Sequence, residues 1–119
     1  MAIPSGSGSE VLKRVTTSGD HDTAKTILTV SALHICTILS ITICNNSASN
    51  AETFYLFFED ASNSGSGLYI TRATPLAADA TFVWNDKFVL YPGDVLKLTS
   101  NGTSDIMTLT SYIDQDWTS

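Results

Sequence analysis

The stretch that most constrains the fold runs from Lys25 to Cys44. Between Ile27 and Cys44 lie 18 residues, of which only Thr29, Ser31, His34, Thr37, Ser40 and Thr42 are polar. A spanning helix needs about 20 mostly apolar residues. This run is instead rich in Ile, Val and Thr, whose branched β-carbons favour strands. Its second half alternates, with Leu39, Ile41 and Ile43 expected on one face and Ser40 and Thr42 on the other. We read it as buried strand, either two strands or one long bent one, and not as a membrane span.

The rest of the chain repeats that pattern in shorter pieces. Glu10–Thr17, Thr53–Glu59, Leu68–Ala73, Thr81–Trp84, Lys87–Tyr91, Val95–Thr99 and Ile106–Ile113 all read as strands. In Thr53–Glu59 the face of Phe54, Leu56 and Phe58 and the face of Tyr55, Phe57 and Glu59 are both largely apolar, which predicts a central strand. Tyr91-Pro92-Gly93-Asp94 fits a type II turn, because the third position needs φ > 0. Asn101-Gly102 fits a type I′ hairpin. Asp60–Gly67 reads as a long flexible connection, Pro75–Ala80 as a turn, and Asn85-Asp86 as a tight turn or a bulge. No helix and no internal repeat is visible. The expected fold is all-β: an antiparallel β-sandwich or jelly-roll-like domain of about seven or eight strands over residues 10–119, preceded by a flexible Ser/Gly arm at residues 1–9.

Composition narrows the function more by exclusion than by indication. At 119 residues and 43% hydrophobic, the chain can bury one core without metal or disulfide staples. Only 15% of residues are charged, and 31 are Ser or Thr, which excludes a coiled coil. The net charge of −6, with Lys13-Arg14 the one adjacent basic pair, argues against nucleic acid and anionic membranes as partners. The first nine residues lack a basic and an apolar segment, so no secretory signal is expected and the chain is expected to fold in a cytoplasm. On one strand Cys36 and Cys44 would lie about 26 Å apart, far beyond disulfide reach, so both are expected to be free.

Candidate chemistry is sparse. Asp20-His21-Asp22 invites a metal, but neighbouring side chains of an extended chain diverge, and a solvated turn is the better reading. His21 or His34 would have to serve as base in a Ser/His/Asp triad, and no nucleophile elbow accompanies them. Glu59-Asp60 point to opposite sides of a strand, unsuited to glycoside hydrolysis. Asn45-Asn46-Ser47 and Asn101-Gly102-Thr103 match the glycosylation pattern by coincidence if no secretion occurs. No phosphate-binding glycine motif is present. We expect no enzyme activity, no cofactor and no metal. Trp84 is expected in the core; Trp117, near the end of the chain, could anchor an interface or dock on its own domain.

The segment Thr81-Phe82-Val83-Trp84-Asn85-Asp86-Lys87-Phe88-Val89-Leu90, continuing through Tyr91-Pro92-Gly93-Asp94-Val95-Leu96-Lys97-Leu98, resembles small virion structural proteins of tailed bacteriophages, marine and cyanophage types in particular. The opening Met1–Gly8 leading into Glu10–Arg14, and Ile41–Asn46, carry the same resemblance. It implies a β-sandwich in the virion, made in the host cytoplasm, that binds the assembled particle as a capsid decoration or cement protein, or else as a neck, tail or fibre-attachment component. Its partners would be the major capsid protein or neck and tail proteins, with Ile3, Pro4 and Trp117 as interface residues. Exposed, weakly charged strand edges also suggest a closed homo-oligomer, a trimer being one form. A carbohydrate-binding module using Tyr55, Tyr69 and Trp117 is the alternative from another class.

Overall fold

A computed structural model describes residues 9–19, 21, 23–101 and 106–117. Its strands are β1 (Ser9–Gly19), β2 (Lys25–Thr29), β3 (His34–Asn45), β4 (Glu52–Asp60), β5 (Ser66–Leu76), β6 (Thr81–Trp84), β7 (Phe88–Leu90), β8 (Val95–Ser100) and β9 (Ile106–Asp116). The chain pairs as one long hairpin folded on itself: β4 with β5 at its centre, then β3 with β6 and β7, β2 with β8, and β1 with β9. Successive pairs fall alternately in two sheets. The front sheet has the order β1-β9-β3-β6, with β7 also on β3, and the back sheet the order β2-β8-β4-β5. This wrapped hairpin is a jelly roll.

The nine strand segments make eight positions, because β6 and β7 lie in line on the same flank of β3. β6 faces Ile41–Cys44 and β7 faces Cys36–Ile38. Asn85-Asp86 is thus a break in one edge strand rather than a hairpin turn. The long run resolves into β2 and β3, parted by a turn in which Leu33 takes φ +62°.

Between the sheets Ile38, Ile41 and Ile43 meet Phe54, Leu56, Leu96 and Leu98, all fully buried. Phe54 packs edge-on against Phe82, with ring centroids 5.3 Å apart. β4 lies between β8 and β5, the interior place its two apolar faces predict. Trp84 is half-buried against the core. The Tyr91–Asp94 turn forms as expected: Asp94 N–H donates to the Tyr91 carbonyl at 3.0 Å and Gly93 has φ +88°. The buried Asp94 carboxylate then accepts from the backbone N–H of Tyr91 and of Ala61, tying this turn to the β4–β5 connection.

Several expectations need correction. Leu39 does not share a face with Ile41 and Ile43: the β3–β9 register shifts between Ile38 and Ser40, a bulge that puts Ile38 in the core in its place. Asp60–Gly67 is no long flexible connection. Asp60 caps a short 3-10 turn over Ala61–Asn63, accepting from Ser62 N–H, and Ser64 and Gly65 reverse the chain at positive φ. Pro75 and Leu76 belong to β5, so the turn before β6 begins at Ala77. Ser9 opens β1 instead of ending an arm. The Asn101-Gly102 turn type lies outside the described residues, as do Ile3 and Pro4.

Candidate functional site

One histidine, two carboxylates and an asparagine named from sequence turn out to have structural roles. His21 is fully buried, not part of a solvated turn: its Nδ1 lies 2.8 Å from the Gly19 carbonyl and its Nε2 3.1 Å from Thr17 Oγ1. A carbonyl can only accept, so Nδ1 carries a proton and donates to Gly19, while the threonine hydroxyl partners Nε2. Asp20 and Asp22 lie outside the described residues. Glu59 pairs with Lys97 at 3.2 Å, while Asp60 caps the turn, so the two carboxylates do separate work. Asn45 is fully buried with its amide donating to the carbonyl of Asn50, which removes it as a glycosylation acceptor.

His34 belongs to a polar group at one end of the sandwich. Asp114, on the inner face of β9, accepts from His34 Nδ1 at 2.8 Å and from Lys13 Nζ at 2.8 Å, with Cys36 Sγ at 3.8 Å. Burial pushes the Asp114 carboxyl up, but the hydrogen bonds and charges of Lys13 and His34 outweigh it and hold it below the usual carboxylate range. The same contact raises the Lys13 ammonium. Burial, and then the Asp114 charge, push the Cys36 thiol up to about 12. A thiol that stays protonated is a poor nucleophile, so Cys36, His34 and Asp114 form a structural clasp and not a Cys/His pair set up for attack. Cys36 and Cys44 are both free. Sequence reasoning missed this cluster because its members come from β1, β3 and β9.

Two outer faces remain. The front face presents Glu10, Leu12, Arg14 and Thr16 from β1, Met107, Leu109, Ser111 and Ile113 from β9, and Thr37, Ser40, Thr42 and Cys44 from β3, with Val83 and Val89 beyond them. Leu12, Val83, Val89, Met107 and Leu109 are exposed here, and the outward residues of β3, β6, β7 and β9 carry no charge. Two shallow grooves cross it, about 430 Å³ beside Thr16, Thr42, Cys44 and Met107 and about 610 Å³ beside Leu12, Leu39, Ser40 and Ser111. Four strands at ~4.8 Å spacing and eleven residues at ~3.3 Å cover roughly 700 Å², close to the ~800 Å² per partner of a standard interface.

The back face differs. Tyr55 and Tyr69 lie 6.0 Å apart between centroids, Phe57 and Tyr69 5.6 Å, and the Arg72 guanidinium sits 5.5 Å from the Tyr69 ring. Two of the three aromatic residues proposed from sequence for sugar stacking are therefore brought together. Trp117 is not with them: it follows β9 in the front sheet, half-buried, its backbone N–H donating to the Leu33 carbonyl at 2.9 Å.

No protein-family model matches this chain, and no curated protein matches it in sequence. Solved structures share its fold. A Bacillus endospore appendage protein, from a family of disulfide-linked pili, is similar with a TM-score of 0.58 at 12% identity, over 95% of this chain and 93% of that one. The capsid of Helicobacter pylori bacteriophage KHP30 gives a TM-score of 0.53 at 7% identity, over 89% and 86%. A chain of the T13 particle of infectious bursal disease virus gives 0.55 at 6%, covering 91% of this chain and 31% of that one. The likeness is one of fold: an all-β jelly roll.

Proposed function

We propose that this chain is a virion structural protein that binds the surface of an assembled bacteriophage particle, as a capsid decoration or cement protein, with a neck, tail or fibre-attachment position as the other placement. The observation that carries the reading is the outer front face, where β3, β6, β7 and β9 present Leu, Val, Met and Thr without charge on a chain of net charge −6 and only β1, at the edge, adds Glu10 and Arg14. Exposed apolar side chains gathered on one face, here Leu12, Val83, Val89, Met107 and Leu109, are a mark of an interaction site. A jelly roll also suits the role, since viral capsid domains and one bacteriophage capsid with this fold lie among its structural likenesses. The group around Asp114 offers no activated nucleophile, consistent with a binding rather than a catalytic protein. On a symmetric shell, modest contacts per copy multiply through effective concentration.

The deciding measurement is copy number in purified virions, by quantitative mass spectrometry against the major capsid protein. A ratio set by the capsid lattice supports decoration; a ratio set by the single portal vertex supports a neck or tail place; absence from the particle refutes the reading. The Tyr55, Phe57 and Tyr69 group favours a second reading, a carbohydrate-binding module, which silence on a glycan array would remove.

A further inference from the structure

A jelly roll leaves four sheet edges, and an open edge is a template for another strand. Three are blunted here by recognisable devices. β2 has only five residues. β5 carries Pro75, two register shifts against β4, and Ala73 at φ +52°. The β6–β7 edge is broken at Asn85–Lys87. β1 is different: eleven residues pair with β9 without a register shift, and Leu12 on it is 72% exposed. Its far end is covered, because Lys25 Nζ donates to the Ser18 carbonyl, but no strand pairs with the outer edge of Ser9–Val15 among the described residues.

The charges on this open half are self-complementary. Glu10, Leu12 and Arg14 share the outer face, since their partners on β9 are Gln115, Ile113 and Ser111. Arg14 has no carboxylate partner among the described residues, and Lys13, on the inner face, is taken by Asp114. If two copies of β1 pair antiparallel about a two-fold axis normal to the sheet, facing residues must share a face, so the axis passes through a residue. Centring on Lys13 or Arg14 opposes like charges. Centring on Val11 sets Glu10 against Leu12. Centring on Leu12 places Glu10 of each copy opposite Arg14 of the other, Leu12 opposite Leu12, and Val11 opposite the aliphatic stem of Lys13.

We propose that a second copy of this chain docks on β1, edge to edge, in the register centred on Leu12, joining two front sheets into one. The inference rests on edge geometry and stands whether or not the chain belongs to a virion. It specifies a two-fold dimer, a different closure from the trimer named above as one form of a closed homo-oligomer. Because the axis is normal to the sheet, both neutral front faces point the same way and become continuous.

The test uses the full chain and its charge-swapped forms. Such an edge buries less than a standard interface, so dimerisation is expected at roughly 10–200 μM. Reversing charge at one of the paired positions turns two attractive cross-strand pairs into two repulsive ones. Glu10→Arg or Arg14→Glu is therefore expected to weaken the dimer about 30-fold. The double swap Glu10→Arg/Arg14→Glu restores it, and mixing the two single variants yields a heterodimer, read by native mass spectrometry and sedimentation. Leu12→Cys crosslinks under oxidation and Leu68→Cys on the β5 edge does not. Thermal melts confirm that each variant folds. A wild-type chain that stays monomeric at 200 μM overturns the proposal, as does a dimer indifferent to the single swaps or a double swap that fails to rescue.

Discussion

Replacing Asp114 by Asn tests whether the polar group at the end of the sandwich is a clasp holding β1 against β9 and β3. The substitution keeps the shape and removes the charge that Lys13 and His34 share. A hydrogen bond to a charged group contributes about 1.5–3 kcal/mol when buried. The Lys13 side chain is 44% exposed, so its pair with Asp114 is discounted to below about 1 kcal/mol. The Asp114 and His34 side chains are 10% and 21% exposed, and that contact keeps more of its strength. Together they predict a loss of about 1–2 kcal/mol near neutral pH. A chain of this length unfolds with about 0.25 kcal/mol/K of entropy at its midpoint, so Tm should fall by about 4–8 °C.

The pH dependence gives the sharper check. The folded-state pKa of Asp114 lies below its ordinary value, so the unfolded chain takes up the proton first as pH falls. Its contribution is fully present above the unfolded value near 3.9 and fades as pH drops through the folded value. Thermal melts of both proteins at pH 7, 5, 4 and 3 should show a gap that is constant from 7 to 5 and closes in the acid range. Equal melts at pH 7, or a gap that persists undiminished below pH 3, would refute the clasp.

Other outcomes follow from single features. Gly93→Ala should destabilise by about 1–2 kcal/mol in denaturant titration, because φ is +88° and the added Cβ would stand 3.0 Å from that of Ala61. Phe54→Ala, removing a fully buried ring, should cost about 3–5 kcal/mol by the same titration; a loss under 1 kcal/mol would contradict the packing described. In the native protein at pH 8 a thiol reagent should label Cys44 and leave Cys36 unmodified until unfolding, since Cys36 is buried with its thiol pushed up to about 12. Leu109→Lys, on the exposed centre of the front face, should lower occupancy on purified particles without shifting Tm by more than about 2 °C.

The strands and the sharpest turn were legible because their signals are local. Alternation in Ile106–Ile113 and the φ > 0 demand of Gly93 need only neighbours in sequence to be read. The bulge at Leu39 was not, because nothing in Ile38-Leu39-Ser40 distinguishes a shifted register from a regular one; the choice is made by β9 on the other side. The tight connection after Asp60 was misread for a similar reason. Ser and Gly suggest freedom, but the Asp60 cap and the Asp94 carboxylate holding Ala61 N–H supply order from both ends. The buried state of His21 depends on Thr17 in β1. The front face was hidden most completely. Its residues come from five strands, and each strand taken alone looks like an ordinary mixture of Thr with one or two apolar side chains.

That face and the β1 edge bear on one another. A single copy presents a front face of roughly 700 Å², uncharged except for Glu10 and Arg14 on its β1 edge, near the lower range for a stable contact. Two copies joined through Leu12 would present about twice that on one side, with Glu10 and Arg14 of each copy neutralised at the seam rather than left in the middle of an apolar platform. Of the acidic residues that give the chain its net charge, Glu59 and Asp60 belong to β4 in the back sheet and so lie off this surface. They keep other sides of the molecule soluble while the neutral side is free to bind. Edge pairing and face docking should therefore be cooperative. A Glu10→Arg variant, whose front face retains every apolar side chain, should bind particles less tightly than the native chain at equal concentration, and the double swap should bind as the native chain does. Binding unaffected by the single swap would separate the two surfaces and leave the front face acting alone.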